Sequence, residues 1–153
     1  MTKLSGHTTG SVPVIVVGMD GSPASRVALR WALQQAAHNG AAVEAVMAWE
    51  HDAARESAAG RPESIRRHPA RELHAMVQEA RSDVPGAPDV VEVTVTGDAA
   101  DNLVQATQRA DMLVLGRQGK QRPAEALVGD VTATCMRHAH CPTVVIPPSA
   151  VEP

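Results

Sequence analysis

Three glycines in the last third of the chain, Gly116, Gly119 and Gly129, stand at the spacing G-x2-G-x9-G. They follow a short apolar run, Met112 to Leu115, and an amphipathic stretch starts directly after the last of them. A glycine allows close backbone approach and positive φ. The free N–H groups at a helix start carry partial positive charge. A glycine loop that feeds a helix is therefore suited to an anion, most often phosphate. The pattern is neither G-x4-G-K-[ST] nor G-x-G-x-x-G, so neither a Walker loop nor a dinucleotide fingerprint is present.

Other residues could do different chemistry. Cys135, His138, His140 and Cys141 read C-x2-H-x-H-C. Cys135 and His138 share a helix face, but His140 and Cys141 lie beyond the helix end and diverge, so a closed tetrahedral zinc set is not expected. The protein by itself is expected to hold no metal. Ser22, His74 and Asp98 sit on separate connections without an elbow motif, so they are not read as a catalytic triad. Asp98 and Asp101 read as a capping pair at a helix start. No catalytic residues are assigned.

The composition narrows the classes. With 153 residues the chain has the length of one domain. It contains two Trp and no Phe or Tyr, so a platform that stacks nucleic-acid bases is not expected. The formal charge of −3 gives no basic excess for nucleic acid or anionic lipid. No apolar run is long enough to span a membrane, and the first eleven residues, MTKLSGHTTGS, do not form a signal peptide. A cytoplasmic location with reduced thiols follows as the expectation.

The elements that must position the glycines alternate along the chain. Residues 1–11 are expected to be a disordered tail, and 12–148 one domain. Residues 12–18 form an apolar, β-branched run, as in a central parallel strand. Ser22 is placed to cap a helix from Ala24 to His38, with Pro23 in its first turn and Val27, Ala28, Trp31, Ala32 and Ala36 on one face. Asn39-Gly40 ends that helix by left-handed capping. Residues 42–49 read as a second strand, 50–69 as a mobile connection, and about 70–82 as a helix with Leu73, Met76, Val77 and Ala80 inward. A third strand over 90–96 leads through Gly97-Asp98 to a helix over about 99–109, with Leu103, Val104 and Thr107 on one side. A strand at 111–115, the glycine loop, a helix carrying Val131, Cys135 and Met136, and a last strand over 143–146 complete the order. Alternation of this kind implies a flavodoxin-like open parallel sheet with helices on both faces. Ligands of such sheets sit outside the carboxyl ends of the strands, where the strand order reverses.

Three segments together, VVGMDGS (16–22), TGDAADNLVQATQRADMLVLG (96–116) and the glycine spacing followed by RHAHCP (137–142), resemble the universal stress protein family over about residues 12–147. The resemblance implies a five-stranded parallel sheet ordered 3-2-1-4-5, of the adenine nucleotide alpha hydrolase-like type. It also implies an adenine-nucleotide site, frequent homodimers and a role in stress survival rather than turnover. Carried across by motif, Gly18, Met19 and Asp20 end the first strand where adenosine lies, with Asp20 at the ribose or adenine edge. Ala48 matches the position whose backbone meets adenine. Leu115, Gly116 and Gly119 would line ribose and phosphates, and Gly129, Asp130, Val131 and Thr132 would offer helix N-terminal donors. Each also has a plain structural reading: Asp20 as a turn residue, Ala48 as core filling, Gly129 as a helix cap.

The family's last glycine is usually followed by Ser or Thr, whereas here it is followed by Asp130. A carboxylate cannot donate to a phosphate, and it repels one. The expectation is adenine-nucleotide binding that is weak and Mg²⁺-dependent for ATP and relatively better for AMP. Arg117, Lys120, Arg122, Thr132 or Mg²⁺ at Asp130 are the available compensations. The alternative is a dimeric stress protein that binds no ATP and works through protein contacts. In either case the last strand, 143–146, is expected to be a sheet edge that pairs with a second copy.

Overall fold

A computed structural model describes residues 11–49, 68–117 and 129–147. Its elements in order are β1 (Val14–Met19), α1 (Pro23–Asn39), β2 (Ala42–Trp49), α2 (Pro69–Ser82), β3 (Val90–Thr96), α3 (Ala99–Ala106), a 3₁₀ turn (Thr107–Arg109), β4 (Met112–Gly116), α4 (Asp130–His138) and β5 (Thr143–Ile146). All four strand pairings are parallel, and the order across the sheet is β3-β2-β1-β4-β5. The chain winds outward from β1 through β2 to β3, then crosses back to β4 and β5. Right-handed crossovers therefore put α1 and α2 on one face and α3 and α4 on the other.

Two apolar cores follow from those faces. Beneath α1 and α2, Leu29, Leu33, Leu73 and Val77 are completely buried against Val17, Val43, Met47 and Val114. Beneath α3 and α4, Val16, Val46, Leu113 and Leu115 pack with Leu103 and Cys135. The helix stops have local causes. Ser22 accepts from the Ser25 amide to start α1, and Gly40, left-handed at φ 78°, ends it by donating to the Ala36 carbonyl. Asp111 joins the beginnings of β1 and β4. Its carboxylate accepts from the Val14 amide at 2.8 Å, and its own amide donates to the Val14 carbonyl at 2.9 Å.

The structure departs from the sequence reading in several places. The buried face of α1 includes Leu29 and Leu33, because α2 flanks the helix and widens the stripe the sheet alone would cover. The third helix keeps α geometry only to Ala106. Thr107, buried, donates through its hydroxyl to the Val104 carbonyl and accepts from the His140 amide at 2.9 Å, so the last turn tightens to 3₁₀. On α4, Thr132 and Cys135 are buried while Val131 and Met136 are 38% and 56% exposed. Nine residues with few apolar side chains did not define that face. Pro69, rather than Ala70, begins α2, as proline tolerates the first turn. The expected tail over 1–11 and the connection over 50–69 otherwise fall almost entirely outside the described residues.

The tightest packing lies between α1 and β4. A Cβ built on Gly116 would sit 2.6 Å from the carbonyl carbon and oxygen of Ala24, in the first turn of α1. Backbone cannot yield as a side-chain tip can, so this glycine is required by helix–strand contact. Gly116→Ala is expected to destabilise by about 1–3 kcal/mol, as overpacking does. Urea unfolding should show a lower midpoint with an unchanged slope.

Candidate functional site

The turn after β1 builds one wall of a cavity. The Asp20 carboxylate accepts from the Ser22 amide at 2.9 Å, and Ser25 Oγ donates to the Ser22 carbonyl at 2.9 Å. This knot ends β1 at Met19, opposite Met47 of β2, while β2 continues through Ala48 to Trp49. Hydrogen-bond parity shows what that overhang leaves open. The Ala42 amide donates to the Pro13 carbonyl, and the Trp49 carbonyl accepts from Gly97. Even-numbered residues of β2 thus direct their backbone toward β1, and odd-numbered ones toward β3. Continued pairing would give the Ala48 carbonyl an amide at position 21, but Gly21 has turned away at φ 82°. Among the described residues no turn or loop amide donates to the Ala48 carbonyl, and Ala48 lines the cavity.

The cavity has a volume of about 350 Å³, within the range of small-molecule sites. Its floor is apolar, made by Val46, Leu103 and Leu115. Gly18 belongs to that floor: a Cβ there would lie 2.6 Å from Leu115 Cδ2 and 3.0 Å from Leu103 Cδ1. Met19, Asp20, Ala48 and Gly116 form the rim at the carboxyl ends of β1, β2 and β4, and Gly129, Asp130, Val131 and Thr132 close it from the start of α4. Ten of the eleven residues carried over by motif thus line one cavity, and Gly119 lies outside the described residues.

Ser22, Ser25, Val46, Ala99 and Leu103 also line it. The sequence placed Ser22 as a cap and Leu103 on a helix face, without assigning either to the cavity. Val46 could have been found from strand alternation, since it lies two residues before Ala48 on the same face. Nothing in the sequence pointed to Ser25, and Ala99 was marked only as part of the 96–116 segment.

Three helices begin at this cavity, and they differ in how their first amides are met. Ser22 caps α1 by accepting from Ser25, and Asp98 caps α3 by accepting from Asp101 at 2.9 Å. The N-cap of α4 is Gly129, which has no side chain to offer. The amides of the first turn of α4 are therefore the ones an anion in the cavity would meet. The two acidic side chains of the lining, Asp20 and Asp130, work against it, and among the described lining residues there is no lysine or arginine.

The alternative constellations are separated. Ser22 and Asp98 cap different helices, while His74 lies 3.0 Å from Glu92 on the opposite face of the sheet. Among the described residues no three His, Cys, Asp or Glu side chains are grouped to hold a metal ion. Cys135 is fully buried, and its thiol is pushed from 9.0 up to about 11, first by burial and then by the Asp98 carboxylate. A raised acid favours the neutral form in the folded state. That contribution to stability is intact below pH 9 and is lost as the pH rises toward about 11. At pH 8 iodoacetamide should leave Cys135 unmodified in the native protein and alkylate it on unfolding, with peptide mass mapping as the readout.

The universal stress protein family model matches residues 12–147. Universal stress protein Rv1996 of Mycobacterium tuberculosis is 29% identical over 150 residues, covering 87% of this chain and 47% of its own length. Universal stress protein Rv2623 of the same organism is 31% identical over 138 residues, with 86% and 46% covered. The chain spans about half the length of these curated relatives. Among solved structures, UspA from Lactobacillus plantarum superposes with a TM-score of 0.72 at 24% identity, over 88% of this chain and 97% of that one. A universal stress protein in complex with cAMP gives 0.66 at 27% identity, with 90% and 98% covered. The strand order, the cavity over the carboxyl ends of β1, β2 and β4 and the family model agree: the chain belongs to the universal stress protein family.

Proposed function

We propose that this chain binds an adenine mononucleotide in the cavity and acts as a ligand-responsive regulatory protein in stress, rather than as a turnover enzyme. The observation that carries this reading is the uncapped start of α4 beside an apolar floor in the same cavity. One half suits a base and ribose, and the other suits a phosphate. The Ala48 carbonyl supplies an acceptor for an exocyclic amine such as that of adenine. The universal stress protein solved with cAMP, 27% identical to this chain, supports the same ligand class.

Asp130 sets the preference among nucleotides. Two unit charges about 4 Å apart repel by on the order of 4 kcal/mol at an effective dielectric of 20. A helix N-terminus returns only about 0.3–1 kcal/mol. The carboxylate therefore outweighs the helix at a terminal phosphate unless a cation, Mg²⁺ or a basic side chain, intervenes. ATP is bound weakly and with Mg²⁺, and AMP relatively better. Calorimetry with ATP, with and without Mg²⁺, tests this on the unaltered protein and on Asp130→Ser. The serine variant should bind ATP more tightly and depend less on Mg²⁺. Tight binding in EDTA by the unaltered protein, not improved by serine, would refute the electrostatic argument. No binding by either would favour a protein that acts through contacts alone.

Such contacts have a candidate surface. β5 is a terminal strand of the sheet, bracketed by Pro142 and Pro147. Its isologous pairing with a second copy gives the homodimer that this reading includes. Light scattering at micromolar concentration should give twice the chain mass, and Val145→Asp should reduce it to one. A monomer that the substitution does not alter would remove the pairing.

A further inference from the structure

We propose that Arg117 is the cation that receives the phosphate of a ligand in the cavity, and so decides between nucleotide and nucleoside there. The inference rests on the mononucleotide reading above. Side chains of β4 alternate between the two cores. Met112 and Val114 pack on the α1 side, where Gly116 meets Ala24, whereas Leu113 and Leu115 pack with Leu103 and Cys135 on the cavity side. Arg117 continues the second series, directly after Gly116 and one strand repeat beyond Leu115, which lines the cavity. Its amide donates to the Ile146 carbonyl at 2.9 Å, which keeps the backbone in strand register one residue past β4. α4 begins at the same carboxyl edge of the sheet and on the same face, so Arg117 leaves β4 toward the uncapped first turn of that helix.

Arg117 stands just outside the residues that line the cavity, and its guanidinium carries an unmet donor. Nε of Arg117 is buried and has no hydrogen-bond partner. Buried donors are almost always satisfied, and a cationic one all the more so. An oxyanion accepting from the guanidinium would relieve that cost. The guanidinium fork also matches phosphate geometry in a way a lysine point charge does not. With Asp20 and Asp130 as the acidic lining, a phosphate needs a positive partner that the described lining residues do not supply.

A phosphate contact can be separated from a structural role by its dependence on the phosphate. Calorimetry with adenosine and with AMP is run on the unaltered protein, Arg117→Gln and Arg117→Lys. Arg117→Gln should weaken AMP about tenfold or more, the loss expected for a charged hydrogen bond, with adenosine unchanged. Arg117→Lys should restore part of the AMP affinity. Equal losses for adenosine and AMP would make Arg117 a structural residue and overturn the proposal, as would AMP binding that the glutamine leaves intact. If the unaltered protein binds neither compound, the mononucleotide reading fails and takes the role of Arg117 with it. If adenosine and AMP bind all three proteins alike, the role of Arg117 fails alone.

Discussion

The knot of hydrogen bonds after β1 governs the rest of the molecule's working end. By ending β1 while β2 runs on to Trp49, it turns the centre of the sheet into a notch. The same few residues start α1, and the start of α1 rests so closely on β4 that only glycine fits at position 116. The notch, the helix start and the close contact therefore come from one local structure. A change that loosened the turn would disturb the strand end, the helix entry and the β4 contact together. That explains why Asp20, which looks like an ordinary turn residue, is also part of the cavity wall.

Much of this was legible in the sequence where a residue type permits only one local structure. Ser22-Pro23 and Asn39-Gly40 bracketed α1 to within a residue, and alternating or unbroken apolar runs gave β2, β3 and β5 their observed bounds. Legibility failed where tertiary contact decides. Leu29 and Leu33 are buried because a second helix lies alongside, which helical spacing alone does not reveal. The face of α4 turned on Thr132 and Cys135, although Val131 and Met136 are the more hydrophobic choice for burial at two of its positions. The candidate site was read mainly through family motifs. Its apolar floor follows from strand alternation at Val46 and from α3 packing at Leu103. Gly116 carries a second constraint, since a glycine that lines the cavity is also held by a neighbouring helix backbone.

The three helix starts at the cavity illustrate how similar local structures acquire different electrostatic roles. Where serine or aspartate caps a helix, the side chain consumes an amide and leaves less positive potential for anything outside. A glycine cap consumes none. The placement of capping residues thus leaves the amides at the start of α4 without a capping side chain, while Asp130 in the same turn opposes their potential.

The bond between the Val14 amide and the Asp111 carboxylate joins residues 97 positions apart. It belongs to the central β1–β4 pair, on which the strand order depends. Closing so long a loop is entropically costly and tends to come late in folding. β1 to β3 can assemble through short crossovers, but that partial sheet has β1 as an open edge and lacks Leu115, Gly116 and α4. The cavity therefore exists only once β1 and β4 have paired, and a chain without that pairing has neither the cavity nor a protected central strand.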